Sequence, residues 1–170
     1  MLAAYNAMPN LTNSINSNNY FEMFGIPISF SINKDNLTAA YLKKQGEIHP
    51  DVAGDVSSTQ SAMLNVAYTA LLDPVSRAEH FLLLRGISTQ LTYSDRHSSE
   101  MFSIHEKYSS LSREEEKFAF RNFLKNRISE IEKSMYYLDG NIKEFADSFC
   151  LMSFIKAFLE KEGTDVYGWN

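Results

Sequence analysis

The stretch GEIHPDVAGD carries the side chains best suited to chemistry in this chain, His49 and Asp51, with Pro50 between them. A histidine held near a carboxylate can act as a general acid and base if a nucleophile or an oxyanion site faces the same pocket. The sequence has no nucleophile elbow, glycine-rich phosphate loop or H-E-x-x-H segment. The residues alone therefore indicate a solvated loop histidine, and a hydrolase is a distant alternative. The remaining histidines are interpreted as helix-surface or partly buried residues: His80, His97 and His105.

The composition is that of a globular protein and excludes several functional classes. The 170 residues are 44% hydrophobic and 22% charged, enough for one domain or two small ones. A formal net charge of -5 argues against nucleic-acid binding by phosphate neutralisation. With Cys150 as the single cysteine, neither an internal disulfide nor a cysteine-rich zinc site is expected. No apolar run approaches the roughly 20 residues that span a bilayer. We expect a cytoplasmic protein that binds neither membrane nor nucleic acid.

The N-terminal segment differs from the rest of the chain. Residues 1–18 are rich in Asn and Ser and contain no charged side chain, so they predict a disordered tail. From Tyr20 onward helix signals recur, whereas the alternating apolar pattern of strands is scarce. The predicted fold class is therefore all-α.

Two helices precede the HPD tripeptide. A short apolar helix begins at Tyr20 and is closed by Gly25. A longer helix can be capped by Asn33 or Asp35. It must end before His49, because the proline that follows disfavours helical geometry in the residue preceding it. The tripeptide is therefore expected in a loop.

Two further helices complete the first half. One is expected from about Ser57 to Leu72. Asp73 and Pro74 then have the residue types of an N-cap and a first helical residue, and Gly86 ends the helix that follows.

After a predicted linker at 89–95, residues 96–165 are expected to form three antiparallel helices, hence a three-helix bundle. The second helix is predicted to open with a capping box from Ser112 to Glu115, and Asp139 with Gly140 makes the turn to the third. Apolar residues at three-four spacing predict the buried faces. They are Met101, Ile104, Tyr108 and Leu111; Phe120, Leu124, Ile131, Met135 and Leu138; and Ile142, Phe145, Phe149, Met152 and Leu159.

The last of these helices has a second apolar stripe, formed by Leu151, Phe154 and Phe158. A helix that is apolar on more than one face is either central or covered by something else. Periodicity leaves two interpretations open: the stripe packs on the N-terminal unit, or it belongs to a partner surface.

The order of these elements around HPD resembles a J domain, the co-chaperone module that acts on the ATPase of heat-shock-type chaperones. More specifically, NYFEMFGIPISFSINKDNL, LNVAYTALLDPVSRAEHFLLLRGI and the C-terminal bundle are similar to the HscB family, the J-protein co-chaperones of iron-sulfur cluster biogenesis. The single cysteine matches the bacterial form, which lacks a zinc-binding segment. The resemblance implies a J domain at residues 19–88 and a C-terminal domain at 96–165.

In J domains the HPD loop and the preceding helix dock on an ATP-bound chaperone of the HscA or DnaK type and stimulate ATP hydrolysis. The resemblance assigns this role to His49, Pro50 and Asp51, with Lys43 and Lys44 on the preceding helix. It implies a regulator that is not itself an enzyme and needs no cofactor or metal.

In HscB-type proteins the C-terminal bundle binds the IscU-type scaffold on which clusters are assembled. The resemblance implies an exposed apolar patch formed by Met101, Ile104, His105, Tyr108 and Phe154. The expected function is delivery of the scaffold protein to the chaperone during cluster assembly and transfer. Two alternatives remain: a J-protein with a different client, and a helical interaction module that does not stimulate an ATPase.

Overall fold

The computed structural model describes residues 19–48, 57–89, 95–164 and 166. Within them the chain forms seven helices and no strand, which confirms the all-α prediction. The chain divides between Gly86 and Ile87 into two compact units. The helices are α1 (Tyr20–Phe24), α2 (Lys34–Glu47), α3 (Ser57–Leu72), α4 (Pro74–Leu84), α5 (Asp95–Ser110), α6 (Glu114–Met135) and α7 (Ile142–Lys161).

Several predictions fall on other parts of the chain. The tail at 1–18 and the HPD tripeptide at 49–51 lie outside the described residues, as do residues 90–94 of the predicted linker. The linker and the domain limits of 19–88 and 96–165 therefore stay predictions.

Local capping chemistry sets the ends of the N-terminal helices. The Asn33 side chain accepts a hydrogen bond from the Asn36 backbone N–H (2.9 Å), so Asn33 caps α2. Gly25 ends α1 with a φ of 65°, a left-handed conformation that favours glycine. Asp73 accepts from the first backbone N–H groups of α4, with Pro74 as its first residue. These three predictions are confirmed, as is the prediction that α2 ends before His49, since its last residue is Glu47.

The predicted capping box of α6 is wrong. The N-cap residue is Arg113, whose side chain makes no capping hydrogen bond. Its guanidinium instead pairs with the Glu116 carboxylate one turn into the helix. The box would require Ser112 as the N-cap, so the helix begins one residue later than predicted.

In the N-terminal unit, helices α1, α2 and α3 bury their apolar faces in one core. Leu37 of α2 and Leu64 of α3 are fully buried at its centre. Ile48, just after α2, is buried in the same core. The other members are Phe21, Met23, Phe24, Ala67, Leu71 and Leu72.

A buried charge connects the segment before α2 to the junction between α3 and α4. Arg77 of α4 has no exposed surface, and its guanidinium lies 4.7 Å from the centre of the Phe30 ring. Its Nε donates to the Phe30 carbonyl (3.0 Å), and its Nη1 donates to the Leu71 carbonyl (2.8 Å). Arg77 thus satisfies backbone acceptors that the core hides from water.

The C-terminal unit is a bundle of α5, α6 and α7. Paired contacts show that α5 and α6 run antiparallel: Arg127 bonds to Glu100, and Arg121 bonds to Tyr108. The buried face of α7 follows the predicted first stripe. The core residues of this unit are Met101, Ile104, Leu124, Ile128, Ile131, Met135, Phe145, Phe149, Leu151, Met152, Ile155, Phe158 and Leu159.

Candidate functional site

The two helices that flank the HPD tripeptide are described, although His49, Pro50 and Asp51 are not. Side-chain hydrogen bonds between α2 and α3 join residue 38 to 68, 41 to 65 and 45 to 61. The two helices therefore run antiparallel. Segment 49–56 therefore connects neighbouring ends of an antiparallel helix pair, as predicted for a helical hairpin.

The two lysines assigned to the preceding helix differ in environment. Lys43 is exposed, whereas Lys44 is half-buried. Burial lowers the pKa of Lys44 from its ordinary value, the Glu47 carboxylate opposes that shift, and Lys43 adds to it. Of the two, Lys43 presents its charge more fully to a partner.

His80 has a role that the sequence did not indicate. Its Nε2 accepts a hydrogen bond from the backbone N–H of Tyr20 (3.0 Å), and the two rings stack with centroids 4.1 Å apart. Burial lowers the pKa of His80, which favours the neutral ring that this hydrogen bond requires. This histidine serves the start of α1, and it is half-buried as predicted.

The predicted scaffold-binding residues divide into two groups by exposure. Met101 and Ile104 are only 7% and 5% exposed, which contradicts their placement on an exposed patch. Both face the bundle interior, because the same three-four spacing describes a core stripe and a surface stripe. His105 is exposed, and Tyr108 and Phe154 are half-buried. These three side chains form the accessible part of the predicted set.

An aromatic cluster brings these residues together. The His105 ring lies edge-on to Phe154 and Phe158, at centroid distances of 5.5 Å and 5.2 Å. Tyr108 meets Phe158 in the same manner at 5.2 Å. Such edge-to-face contacts hold rings at fixed angles. The second stripe of α7 is thus largely internal, because Leu151 and Phe158 are buried and Phe158 contacts α5; only Phe154 is left partly exposed.

Helix α6 also contributes to this cluster, a contribution that the sequence did not predict. Arg121 Nη1 donates to the Tyr108 hydroxyl (3.1 Å), and Phe120 lies 6.3 Å from the Tyr108 ring. Phe123 stacks on Phe120 at 5.8 Å and is itself exposed. The run FAFRNF was the signal that could have indicated this extension of the aromatic surface.

A cavity of about 280 Å³ in the C-terminal bundle is lined in part by His97, Arg127 and Glu130. Arg127 donates to both carboxylate oxygens of Glu100 (2.9 Å and 3.2 Å) and to Glu130 (3.3 Å). The hydrogen bond to Glu100 raises the pKa of Arg127, although partial burial opposes this. The positive charge of Arg127 is thus balanced by the carboxylates of Glu100 and Glu130. Within the described residues no cluster of three or more metal-binding side chains is present.

Among the helices that the structure describes, none combines the length and hydropathy that a membrane crossing requires.

Comparison with known proteins supports the sequence resemblance. The Co-chaperone protein HscB homolog of Shewanella amazonensis is 37% identical to this chain over 76 residues, and that of Vibrio cholerae is 40% identical over 76 residues. Each match spans 41% of this chain and 44% of the relative, so less than half the length of these relatives is covered. No protein-family model matches the chain.

Two solved structures share the fold. The chaperone HscB from Vibrio cholerae covers 84% of this chain and 94% of its own, with 25% identity and a TM-score of 0.66. Human co-chaperone HscB covers 86% of this chain and 81% of its own, with a TM-score of 0.74; at 23% identity this likeness concerns the fold alone.

The fold is therefore that of a two-part all-α protein with an N-terminal J domain and a C-terminal helical bundle. Its curated homologues are bacterial co-chaperones, and the chain is homologous to the HscB co-chaperones.

Proposed function

We propose that this chain is a co-chaperone that stimulates the ATPase of an HscA/DnaK-type chaperone and delivers an IscU-type scaffold protein to it during iron-sulfur cluster assembly and transfer. The observation that carries the proposal is the homology to HscB co-chaperones, together with an HPD tripeptide between α2 and α3. The net charge and the helices of the described residues fit a cytoplasmic protein whose partners are other proteins.

The N-terminal unit is the proposed chaperone-binding arm. Proline fixes its own φ, so Pro50 restricts the backbone between His49 and Asp51. Asp51 can accept charge-assisted hydrogen bonds from an arginine of the chaperone. Lys43 adds an exposed positive charge on α2, which increases the rate of association with an acidic surface. His49 and Asp51 then trigger hydrolysis in the partner and perform no chemistry themselves, so the protein regulates an enzyme.

The C-terminal bundle is the proposed scaffold-binding arm. Its binding surface is formed by Phe154, His105 and Tyr108, whose rings contact one another or share the Phe158 ring beneath them. Buried Met101 and Ile104 contribute by supporting α5 from the inside. Rigid aromatic rings provide contact area at low entropic cost, which suits them to act as anchors for a partner.

The proposal is tested by the steady-state ATPase rate of the chaperone with this protein, in the presence and absence of the scaffold. His49→Gln should abolish stimulation under both conditions while the circular dichroism spectrum stays unchanged. Phe154→Ala should reduce only the additional stimulation that the scaffold produces. Phe118→Ala is the control, because Phe118 is an exposed phenylalanine of the same bundle that is not a member of the aromatic cluster.

The results separate the alternatives. Stimulation that ignores the scaffold would support a J-protein with a different client. Absence of stimulation by any cognate chaperone would leave a helical interaction module and contradict the proposal.

A further inference from the structure

A line of polar and aromatic side chains joins α2 to α3. At its far end the Thr38 and Tyr68 hydroxyls are hydrogen-bonded (3.1 Å), and the Tyr41 ring stacks on the Tyr68 ring with centroids 4.1 Å apart. At its near end, next to segment 49–56, lies Gln45. We call the group formed by Gln45, Tyr41, Asn65 and Ser61 the Gln45 clamp.

The clamp uses both ends of the Gln45 side-chain amide. Gln45 Nε2 donates to Asn65 Oδ1 (2.8 Å) and to the Tyr41 hydroxyl (3.2 Å). The Tyr41 hydroxyl in turn donates to Asn65 Oδ1 (2.9 Å). Gln45 Oε1 accepts from the Ser61 hydroxyl (3.1 Å). The donors and acceptors fit one another without conflict, so this arrangement sets the orientation of the amide.

The Gln45 clamp lies at the end of α2, where the chain continues into segment 49–56. Gln45 lies in the last turn of α2, four residues before His49, and Ser61 lies near the start of α3. The next residue, Gly46, is a weak helix former by about 1 kcal/mol relative to Ala. A Cβ at Gly46 would contact nothing within 4 Å, so the helix makes no packing contact on that side. Directional bonds from Gln45 and burial of Ile48 therefore hold this end of α2.

We propose that Gln45 is a positioning residue for the chaperone-binding surface. Its hydrogen bonds to α3 fix the rotation of the end of α2 about its axis. They thereby set the direction of Lys43 and the point from which the chain continues to His49. This inference rests on the proposed function. Loss of the clamp reduces the fraction of molecules in the binding-competent arrangement, and the apparent affinity falls by the same factor while the bound state remains the same.

The test is a titration of the chaperone's ATPase rate with full-length Gln45→Met protein. Met matches Gln in length and helix propensity but cannot make these hydrogen bonds. The half-maximal concentration should rise about tenfold, the effect of losing the three hydrogen bonds of Gln45 if each is at the weak end of the usual range, with an unchanged maximal rate. Ser61→Ala, which removes one bond, should produce a smaller rise in the same direction.

Two matched variants separate positioning from general loosening of the helix pair. Asn65→Asp retains the only Asn65 atom that the clamp uses, an acceptor oxygen, and should behave as the unmodified protein does. Tyr68→Phe removes the hydrogen bond to Thr38 at the far end and should leave the half-maximal concentration unchanged.

An unchanged half-maximal concentration for Gln45→Met would overturn the inference. An equal rise for Tyr68→Phe, or a fall in the maximal rate alone, would also overturn it. If Gln45→Met fails to fold, Ser61→Ala decides by the same criterion. If the unmodified protein produces no stimulation, the proposed function fails and this inference with it, whereas stimulation insensitive to both Gln45→Met and Ser61→Ala removes only the inference.

Discussion

Replacement of Arg77 tests the account of the N-terminal core most severely. Arg77→Met leaves the Phe30 and Leu71 carbonyls without the guanidinium donors that lie 3.0 Å and 2.8 Å from them. A buried acceptor deprived of its partner costs about 1–3 kcal/mol. The Leu72 carbonyl, 3.4 Å from Nη1, loses a third and weaker donor. Together, less the relief from no longer burying a charge, these changes give an expected loss of about 2–5 kcal/mol in the free energy of unfolding of this unit.

Native-state hydrogen exchange resolved to peptides of α3 and α4 measures this loss without assuming that both units unfold together. Arg85→Met is the matched control, because Arg85 also lies 4.7 Å from the centre of a phenylalanine ring, that of Phe81, but is exposed. The control should cost less than about 1 kcal/mol. A similarly small change for Arg77→Met would refute the reasoning that these hydrogen bonds hold the α3–α4 junction.

Three further predictions concern the core and the helix ends. Phe158→Ala should lower the free energy of unfolding of the C-terminal unit by about 3–5 kcal/mol, whereas half-buried Phe154→Ala should cost about 1 kcal/mol or less by urea denaturation; equal losses would contradict the division between core and surface. Because burial lowers the pKa of His80, the unfolded chain takes up the proton first as pH falls, so stability should decrease below about pH 6.5 and level off once the folded-state pKa is passed. His80→Gln should reduce this loss of stability at low pH, measured as the dependence of the melting temperature on pH. An unaltered pH dependence would contradict the role given to His80. Asp73→Ala should lower the free energy of unfolding by about 1 kcal/mol and speed hydrogen exchange of the first α4 amides, because the α4 cap is lost. Unchanged exchange at these amides would contradict the capping role of Asp73.

The helix ends could be predicted because their chemistry is local. Asn33, Asp73 and Gly25 each act within a few residues of their own position, so their types indicate what they do. The same reasoning failed at Ser112, where a neighbouring arginine became the N-cap and paired with a glutamate one turn on. Local signals identify a helix start but tolerate a shift of one or two residues.

The buried contacts could not be predicted, since they join residues distant in sequence. Arg77 reaches a carbonyl 47 residues away, and His80 accepts from a backbone N–H 60 residues away. Arginine is rarely buried, so composition and periodicity favour an exposed position. Spacing likewise could not separate Met101, a core residue, from Phe154, a partly exposed one. Which apolar stripe faces the interior depends on how the three helices of the bundle pack.

A single rate measurement shows whether one chain joins the chaperone and the scaffold. It is the steady-state ATPase rate of the chaperone with this protein and the scaffold together, compared with each alone. We expect a rate well above the sum of the two separate stimulations, because the chain brings the scaffold to the chaperone while its HPD segment triggers hydrolysis. A rate no greater than that sum would contradict it.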